Sequence, residues 1–123
     1  MTSTTQTEIV ERTTRPWGWY ATVSEVPGHK IKRLHVLPGQ QLSLQKHLHR
    51  SEHWVVVHGV ARVTLDDRVF DLTTGQCCDI SQGQVHRILN ATTEPVEVVE
   101  IQFGSYLGED DIVRLQDDYG RIP

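Results

Sequence analysis

Cysteine is almost missing from this chain: there are two, Cys77 and Cys78, and they are adjacent. Neighbouring cysteines cannot close the long loops that make a disulfide stabilising, so no disulfide framework is available. They are expected to be buried thiols, because a thiolate metal or redox site needs more sulfur partners than this. Long apolar runs are missing too. The longest, Trp54-Val55-Val56-Val57, falls far short of the roughly 20 residues that span a bilayer. Met1 to Thr7 lack both the charged start and the apolar stretch of a secretory signal, so a soluble, cytoplasmic protein is expected. An excess of basic residues is also absent. Sixteen acidic residues against twelve basic ones give a net charge of -4, and no local basic run offsets it, which argues against nucleic acid and anionic membranes as partners. Finally, no long stretch carries the 3.6-residue periodicity of an amphipathic helix.

Short apolar and β-branched segments separated by turn residues are abundant instead. Strands are expected over 17–23, 30–37, 41–49, 52–58, 61–65, 69–72, 77–80, 86–90 and 96–103. Pro38-Gly39, Gly59, Asp66-Asp67, Thr74-Gly75, Gln82-Gly83 and Glu94-Pro95 break them with residues suited to turns. The 123 residues suffice for one core and not for two, so a single all-β domain, a sandwich or barrel, is expected over 14–123. Residues 1–13 are polar and expected to be a flexible N-terminal segment. Acids ahead of a short apolar pattern, Glu109-Asp110-Asp111-Ile112-Val113, predict a short C-terminal helix.

Chemistry concentrates in one place. Four of the seven histidines lie between positions 47 and 58. On a strand, Gln45, His47 and His49 share one face while Leu44, Lys46 and Leu48 share the other. A tight turn at Arg50-Ser51 would fold Glu52 back beside them. His86, a polar residue opening an otherwise apolar strand, is the candidate fourth ligand. Mixed nitrogen and oxygen donors without thiolate suit one divalent metal ion, Zn foremost, with Mn, Co, Ni or Fe as alternatives. The competing reading is a metal-free barrel whose polar interior hydrogen-bonds to itself.

The spacing of these residues resembles the cupin superfamily, whose two motifs run G-x5-H-x-H-x4-E-x6-G and G-x5-P-x-G-x2-H-x3-N. Gly39, Gln45, His47, Glu52 and Gly59 match the first, with Gln45 in place of its first His. Gly75, Ser81, Gly83, His86 and Asn90 match the second, with Ser81 in place of its Pro. The resemblance implies a jelly-roll double-stranded β-helix with metal ligands Gln45, His47, Glu52 and His86. A competing register uses His47, His49 and Glu52 and leaves Gln45 outside the shell. The flanking glycines favour the first. Ser81 is expected to loosen the turn that presents His86.

Further segments narrow the resemblance: Arg15-Pro16-Trp17-Gly18-Trp19-Tyr20, Leu42-Ser43-Leu44-Gln45, His49-Arg50-Ser51-Glu52-His53-Trp54, and Tyr106 to Arg114 followed by Asp118-Tyr119-Gly120-Arg121. Together they are similar to the type II mannose-6-phosphate isomerase family, the C-terminal isomerase domain of bifunctional enzymes that also carry a mannose-1-phosphate guanylyltransferase. The resemblance implies a metal-dependent aldose-ketose isomerase acting on mannose 6-phosphate and fructose 6-phosphate through an enediol. Its partner is then a small sugar phosphate. No Gly-rich nucleotide loop occurs in these residues, so GDP-mannose chemistry is not expected of them.

Other roles follow from residue type. The phosphate requires cations, and Arg15, Lys32, Arg50, Arg87 and Arg121 are the candidates, with Arg121 and Lys32 foremost. His49, on the ligand face, and Glu100, alternating with Val99 and Ile101, are candidate proton-shuttling bases. His53 is expected to face away and serve structure. Trp17, Trp19 and Tyr20 are expected in the core rather than along a sugar pocket. Asp110, Asp111 and Asp118 are assigned to the helix start rather than to a second cation site. Leu42, Leu44 and Leu48 are expected on an outer face, which a homodimer would cover. The alternatives are a non-catalytic or differently specific metal-binding sugar cupin and a metal-dependent dioxygenase.

Overall fold

The computed structural model describes residues 11–121, so the segment 1–10 lies outside the described residues. Eleven strands occur among them: β1 (Arg12–Arg15), β2 (Gly18–Val26), β3 (His29–Val36), β4 (Leu44–Lys46), β5 (Arg50–His58), β6 (Ala61–Leu65), β7 (Arg68–Leu72), β8 (Cys77–Ile80), β9 (His86–Leu89), β10 (Val96–Gly104) and β11 (Val113–Gln116). Six form one sheet in the order β1-β2-β3-β10-β5-β8, and five form the other in the order β11-β4-β9-β6-β7. Every pairing is antiparallel. No helix is present among the described residues, and so none long and apolar enough to cross a membrane.

The expected all-β architecture is therefore observed, but four local expectations are not. The C-terminal helix is replaced by a turn followed by β11, in which Val113 pairs with Lys46 and Arg114 with Gln45. Val113-Arg114-Leu115-Gln116 alternates with period two, and the open edge of β4 supplies the partner such a short strand needs. The predicted strand 41–49 shrinks to β4 plus an isolated bridge at Gln41. The chain turns at Leu48-His49, so Arg50 opens β5 in the other sheet and no tight turn forms at Arg50-Ser51. Within the segment 1–13, Arg12 and Thr13 already belong to β1 and pair with Ala21 and Tyr20.

Along β3, β5 and β10, burial alternates residue by residue, as strands with one covered face require. The inward residues change character part-way along. Val36 and Leu34 give way to Lys32 and Lys30, Val56 and Trp54 to Glu52 and Arg50, and Val96 and Val98 to Glu100 and Gln102. Cross-strand register aligns the changes, because Glu100 faces Lys32 on one side and Trp54 on the other, and Gln102 faces Lys30 and Glu52. The interior thus has a dry end, closed by Trp17, Leu65, Ile88 and their neighbours, and a polar end. Leu42 belongs to the dry end, against its expected outward position, while Leu48 is exposed. Neither thiol is buried as expected: Cys77 is exposed and Cys78 half-buried.

Turns between strands are held by specific contacts. Buried Asn90 donates to the carbonyls of Val36 and Glu94 and accepts from Thr92, which fixes the turn before β10. Gly18 has φ of +152°, and a Cβ there would lie 1.9 Å from the His35 carbonyl oxygen. Gly75 has φ of +90° with open space around it. Gly18→Ala must therefore push two paired strands apart, whereas Gly75→Ala incurs backbone strain alone. Urea unfolding should show a loss of about 1 kcal/mol for Gly75→Ala and several times that, or no folded protein, for Gly18→Ala.

Candidate metal centre

The polar end of the barrel gathers ligands from both sheets. His47 follows β4, His86 opens β9, and Glu52 reaches across from β5. One donor atom from each lies within 4.8 Å of the others, and all three residues are buried. The Glu52 carboxylate stands 3.4 Å from His47 Nε2 and 3.6 Å from His86 Nε2. Gln45 is the direct cross-strand neighbour of His86. The expected quartet is brought together, with Glu52 arriving from the opposite sheet rather than by a hairpin.

Both imidazoles are oriented by backbone. His47 Nδ1 lies 2.6 Å from the Asp111 carbonyl oxygen and His86 Nδ1 lies 2.9 Å from the Gln84 carbonyl oxygen. Carbonyls only accept, so each Nδ1 carries a proton and each Nε2 presents a lone pair to the centre. Burial, then the Arg50 guanidinium and His86, hold His47 down to about 4. Burial likewise lowers His86. Both rings are therefore neutral at ordinary pH, the state in which imidazole binds a metal. The His86 turn is firm despite Ser81. Gln84 accepts from the Ser81 backbone and donates to Asp66, whose carboxylate also accepts from the Val85 amide.

The residues fit a cation. His86 Nε2 is buried and has no hydrogen-bond partner, and an orphaned acceptor of that kind costs on the order of 1–3 kcal/mol unless something binds it. His47 Nε2 accepts from Arg50 at 3.2 Å, a contact that metal binding would exchange. Gln45 Oε1 accepts from Ser43 at 2.7 Å, and its Nε2 lies 3.3 Å from His47 Nε2. Half a turn of that amide presents the oxygen to the centre, and the Ser43 hydroxyl can accept from the nitrogen instead.

Around the centre lies a cavity of about 110 Å³, lined by Arg15, Lys32, Gln45, His47, Arg50, Glu100 and Arg121 among others. That is several times the ~30 Å³ share of a liquid water molecule, so it has room for a small ligand and is more than a packing gap. Glu100 is buried, and that burial followed by the Glu52 charge raises its carboxyl above the usual range. Trp54 Nε1 donates to both Glu52, at 3.1 Å, and Glu100, at 3.0 Å, so one indole N–H bridges the two carboxylates. Gln102 donates to the other Glu100 oxygen at 2.7 Å.

Two of the expected residues lie elsewhere. His49 is exposed beyond the end of β4, packs edge-on against Tyr106, and lines a separate depression, so the strand face it was expected to share with Gln45 ends before it. Arg87 alternates with His86 and points outward to the Gln116 carbonyl. Arg50 lines the cavity but is engaged by Glu52 at 2.8 Å, and Lys32 by Glu109 at 2.7 Å. Trp17 and Tyr20 line the cavity while Trp19 stacks on His35 outside it, and His53 pairs with Asp79 on the outer face as expected.

Asp111 was not foreseen as a site residue. Besides its carbonyl contact with His47, its carboxylate accepts from the Leu48 and His49 amides at 2.9 and 3.0 Å. It therefore fixes the bend that carries His47, a role set by tertiary contact and invisible in local sequence. Trp54, by contrast, shares a strand face with Glu52 by simple alternation.

Residues 2–117 match the family described as mannose-6-phosphate isomerase C-terminal. The chain is 52% identical over 107 residues to the alginate biosynthesis protein AlgA of Pseudomonas aeruginosa, covering 87% of this chain and 22% of that protein. It is 51% identical over 107 residues to the xanthan biosynthesis protein XanB of Xanthomonas campestris, covering 87% and 23%. To a mannose-1-phosphate guanylyltransferase of Sinorhizobium fredii it is 48% identical over 112 residues, covering 91% and 22%. The chain thus spans less than a quarter of the length of these relatives. Among solved structures, oxalate decarboxylase from Bacillus subtilis has a TM-score of 0.79 at 19% identity, over 94% of this chain and 32% of that one. A Klebsiella pneumoniae protein with a double-stranded β-helix domain has a TM-score of 0.69 at 23% identity, over 89% and 88%. Those likenesses speak for the cupin fold alone. With the matched span including every strand from β1 to β11 and relatives at about half identity, the chain belongs to the mannose-6-phosphate isomerase C-terminal family.

Proposed function

We propose that this domain is a metal-dependent aldose-ketose isomerase that interconverts mannose 6-phosphate and fructose 6-phosphate through an enediol. The observation that carries the proposal is the buried pair of neutral imidazoles, each fixed by its Nδ1 proton, with Glu52 between them and the His86 Nε2 lone pair unused. Gln45, His47, Glu52 and His86 would hold one divalent ion, Zn foremost, with Mn, Co, Ni or Fe also suited to nitrogen and oxygen donors. When bound, the ion supplies Lewis acidity that stabilises negative charge developing on the sugar's reacting oxygens.

The chain's own residues do the rest. Glu100 lines the cavity and, of the two acids that do so among the described residues, is the one without an ion pair, since Glu109 is tied to Lys30 and Lys32. Its raised proton affinity suits a group that takes a proton from C2 of the open-chain aldose and returns it to C1. Trp54 and Gln102 keep its oxygens in place through that exchange. The site is also charged rather than apolar, which weighs against a dioxygenase acting on an apolar substrate.

Three outcomes test this. Metal-loaded protein should convert mannose 6-phosphate to fructose 6-phosphate, and Glu100→Gln should lower kcat by about 10²–10⁴ while metal content, measured by elemental analysis, is retained. If Glu100→Gln turns over like wild type, the base is another group; if wild type binds metal and converts nothing, the isomerase reading fails. Asp111→Ala should weaken metal affinity by about 10–100-fold in a competition titration with a chelating dye, because the His47 bend loses its anchor. In chelator-treated protein, His47 and His86 are lowered in the fold whereas an unfolded imidazole protonates near 6.5. The unfolded chain therefore binds protons first as pH falls, so the melting temperature should drop between about pH 6.5 and 4 and level off above that window.

A further inference from the structure

We infer that Arg50 occupies the metal centre as an internal cation, so that a divalent ion must displace its guanidinium from His47 in order to bind. The inference rests on the metal-binding part of the reading above and adds a competitor supplied by the chain itself. One side chain touches two of the candidate ligands. Arg50 Nε donates to Glu52 Oε2 at 2.8 Å, and its terminal Nη2 reaches His47 Nε2 at 3.2 Å. Those two acceptors face each other across the centre, 3.4 Å apart. The guanidinium therefore covers the His47–Glu52 edge, while His86 Nε2 on the remaining side has no partner. Only 6% of the Arg50 side chain is exposed, so water competes little for these contacts.

Lone pairs make the two occupants exclusive. A neutral imidazole has one, and the His47 Nδ1 proton is committed to the Asp111 carbonyl. Nε2 therefore accepts from Arg50 or binds an ion, never both. Charge points the same way. Arg50 and Glu52 form a neutral pair, and Lys30 and Lys32 are tied to Glu109, so these groups are compensated without an outside ion. A divalent cation arriving beside His47 meets a guanidinium of like charge in a buried site, where repulsion is weakly screened. The exchange needs side-chain movement alone. The Arg50 backbone is pinned, pairing with Gly104 so closely that a Cβ on Gly104 would lie 3.2 Å from the Arg50 Cα. The Arg50 side chain borders the cavity, which gives its terminal nitrogens a place to withdraw while Nε keeps Glu52. In metal-free protein Arg50 thus spares Glu52 from being a buried charge without compensation, and the same contact opposes the ion. A guanidinium that only braced Glu52 for the ion would act in the opposite sense, because removing such support weakens metal binding by about 10–100-fold.

The test titrates Zn against a chelating dye in wild type, Arg50→Met and Arg62→Met, with folding of each checked by circular dichroism. Met keeps much of the apolar stem without the charge, and Arg62, in an exposed pair with Asp71 on β6, controls for loss of one positive charge. Zn should bind Arg50→Met about tenfold or more tightly than wild type, and Arg62→Met as wild type does. Metal-free Arg50→Met should melt below metal-free wild type, and saturating Zn should raise its melting temperature by the larger increment. A measurement on wild type stands even where Arg50→Met fails to fold: in NMR of the arginine side chains, the restrained terminal nitrogens of Arg50 should become mobile when Zn is added. Arg50→Met that binds Zn no more tightly than wild type, or Arg50 nitrogens that stay restrained with Zn bound, would overturn the inference and leave metal binding in place. If neither wild type nor Arg50→Met binds Zn, the metal reading falls and the inference falls with it. No arm uses a sugar, so a protein that exchanges Arg50 for Zn and isomerises nothing upholds the inference while the isomerase reading fails.

Discussion

Glu52 is a carboxylate held out of water, and a charge in that position has to be compensated within reach of its two oxygens. Much of the site's arrangement follows from this requirement. Arg50 supplies the opposite charge and Trp54 a neutral donor, both from the same inward face of β5. Two imidazoles approach from the opposite sheet with their lone pairs forward. Burial, and then the Glu52 charge, raise the proton affinity of the neighbouring Glu100 carboxyl. The candidate donor set and the group proposed for proton transfer therefore depend on a single buried carboxylate.

That polar end would unfold the barrel if it were spread along the interior. It is confined because three adjacent strands change from apolar to polar inward residues at the same level of the sheet. Trp54 lies at the boundary, with its ring edge-on to His86 and its N–H bridging the two carboxylates. An aromatic ring with one polar edge suits that position, since one side can face the dry core while the donor is used.

The strand pattern and the convergence of Gln45, His47, Glu52 and His86 were legible because both rest on short-range regularities. Alternation marks β3, β5 and β10, and the interval from Gly39 to Gly59 selects Gln45 and His47 over His49. The errors arose where local pattern and tertiary context disagree. The acids of 109–111 resemble a helix start, yet Glu109 is spent on Lys30 and Lys32 and Asp111 on the bend after β4. His49 shares alternation with His47 on paper, but β4 stops at Lys46 and the phase is lost.

The segment between β10 and β11 then acquires a single explanation. It crosses the polar end of the barrel and is fastened at successive points: the Leu107 carbonyl to Lys30, the Glu109 carboxylate to Lys30 and Lys32, and Asp111 to Leu48, His49 and His47. Lys30 and Lys32 would otherwise be buried cations without sufficient partners, so the polar interior recruits the strap as much as the strap covers the interior. Because Asp111 touches His47 through its carbonyl and the adjacent bend through its carboxylate, closure of the barrel end and orientation of the His47 ring are one event. The same segment continues into β11, which delivers Arg114 beside Gln45. A connection that looks like a helix start in the sequence is what ties β11 and the bend after β4 to the polar end of the barrel.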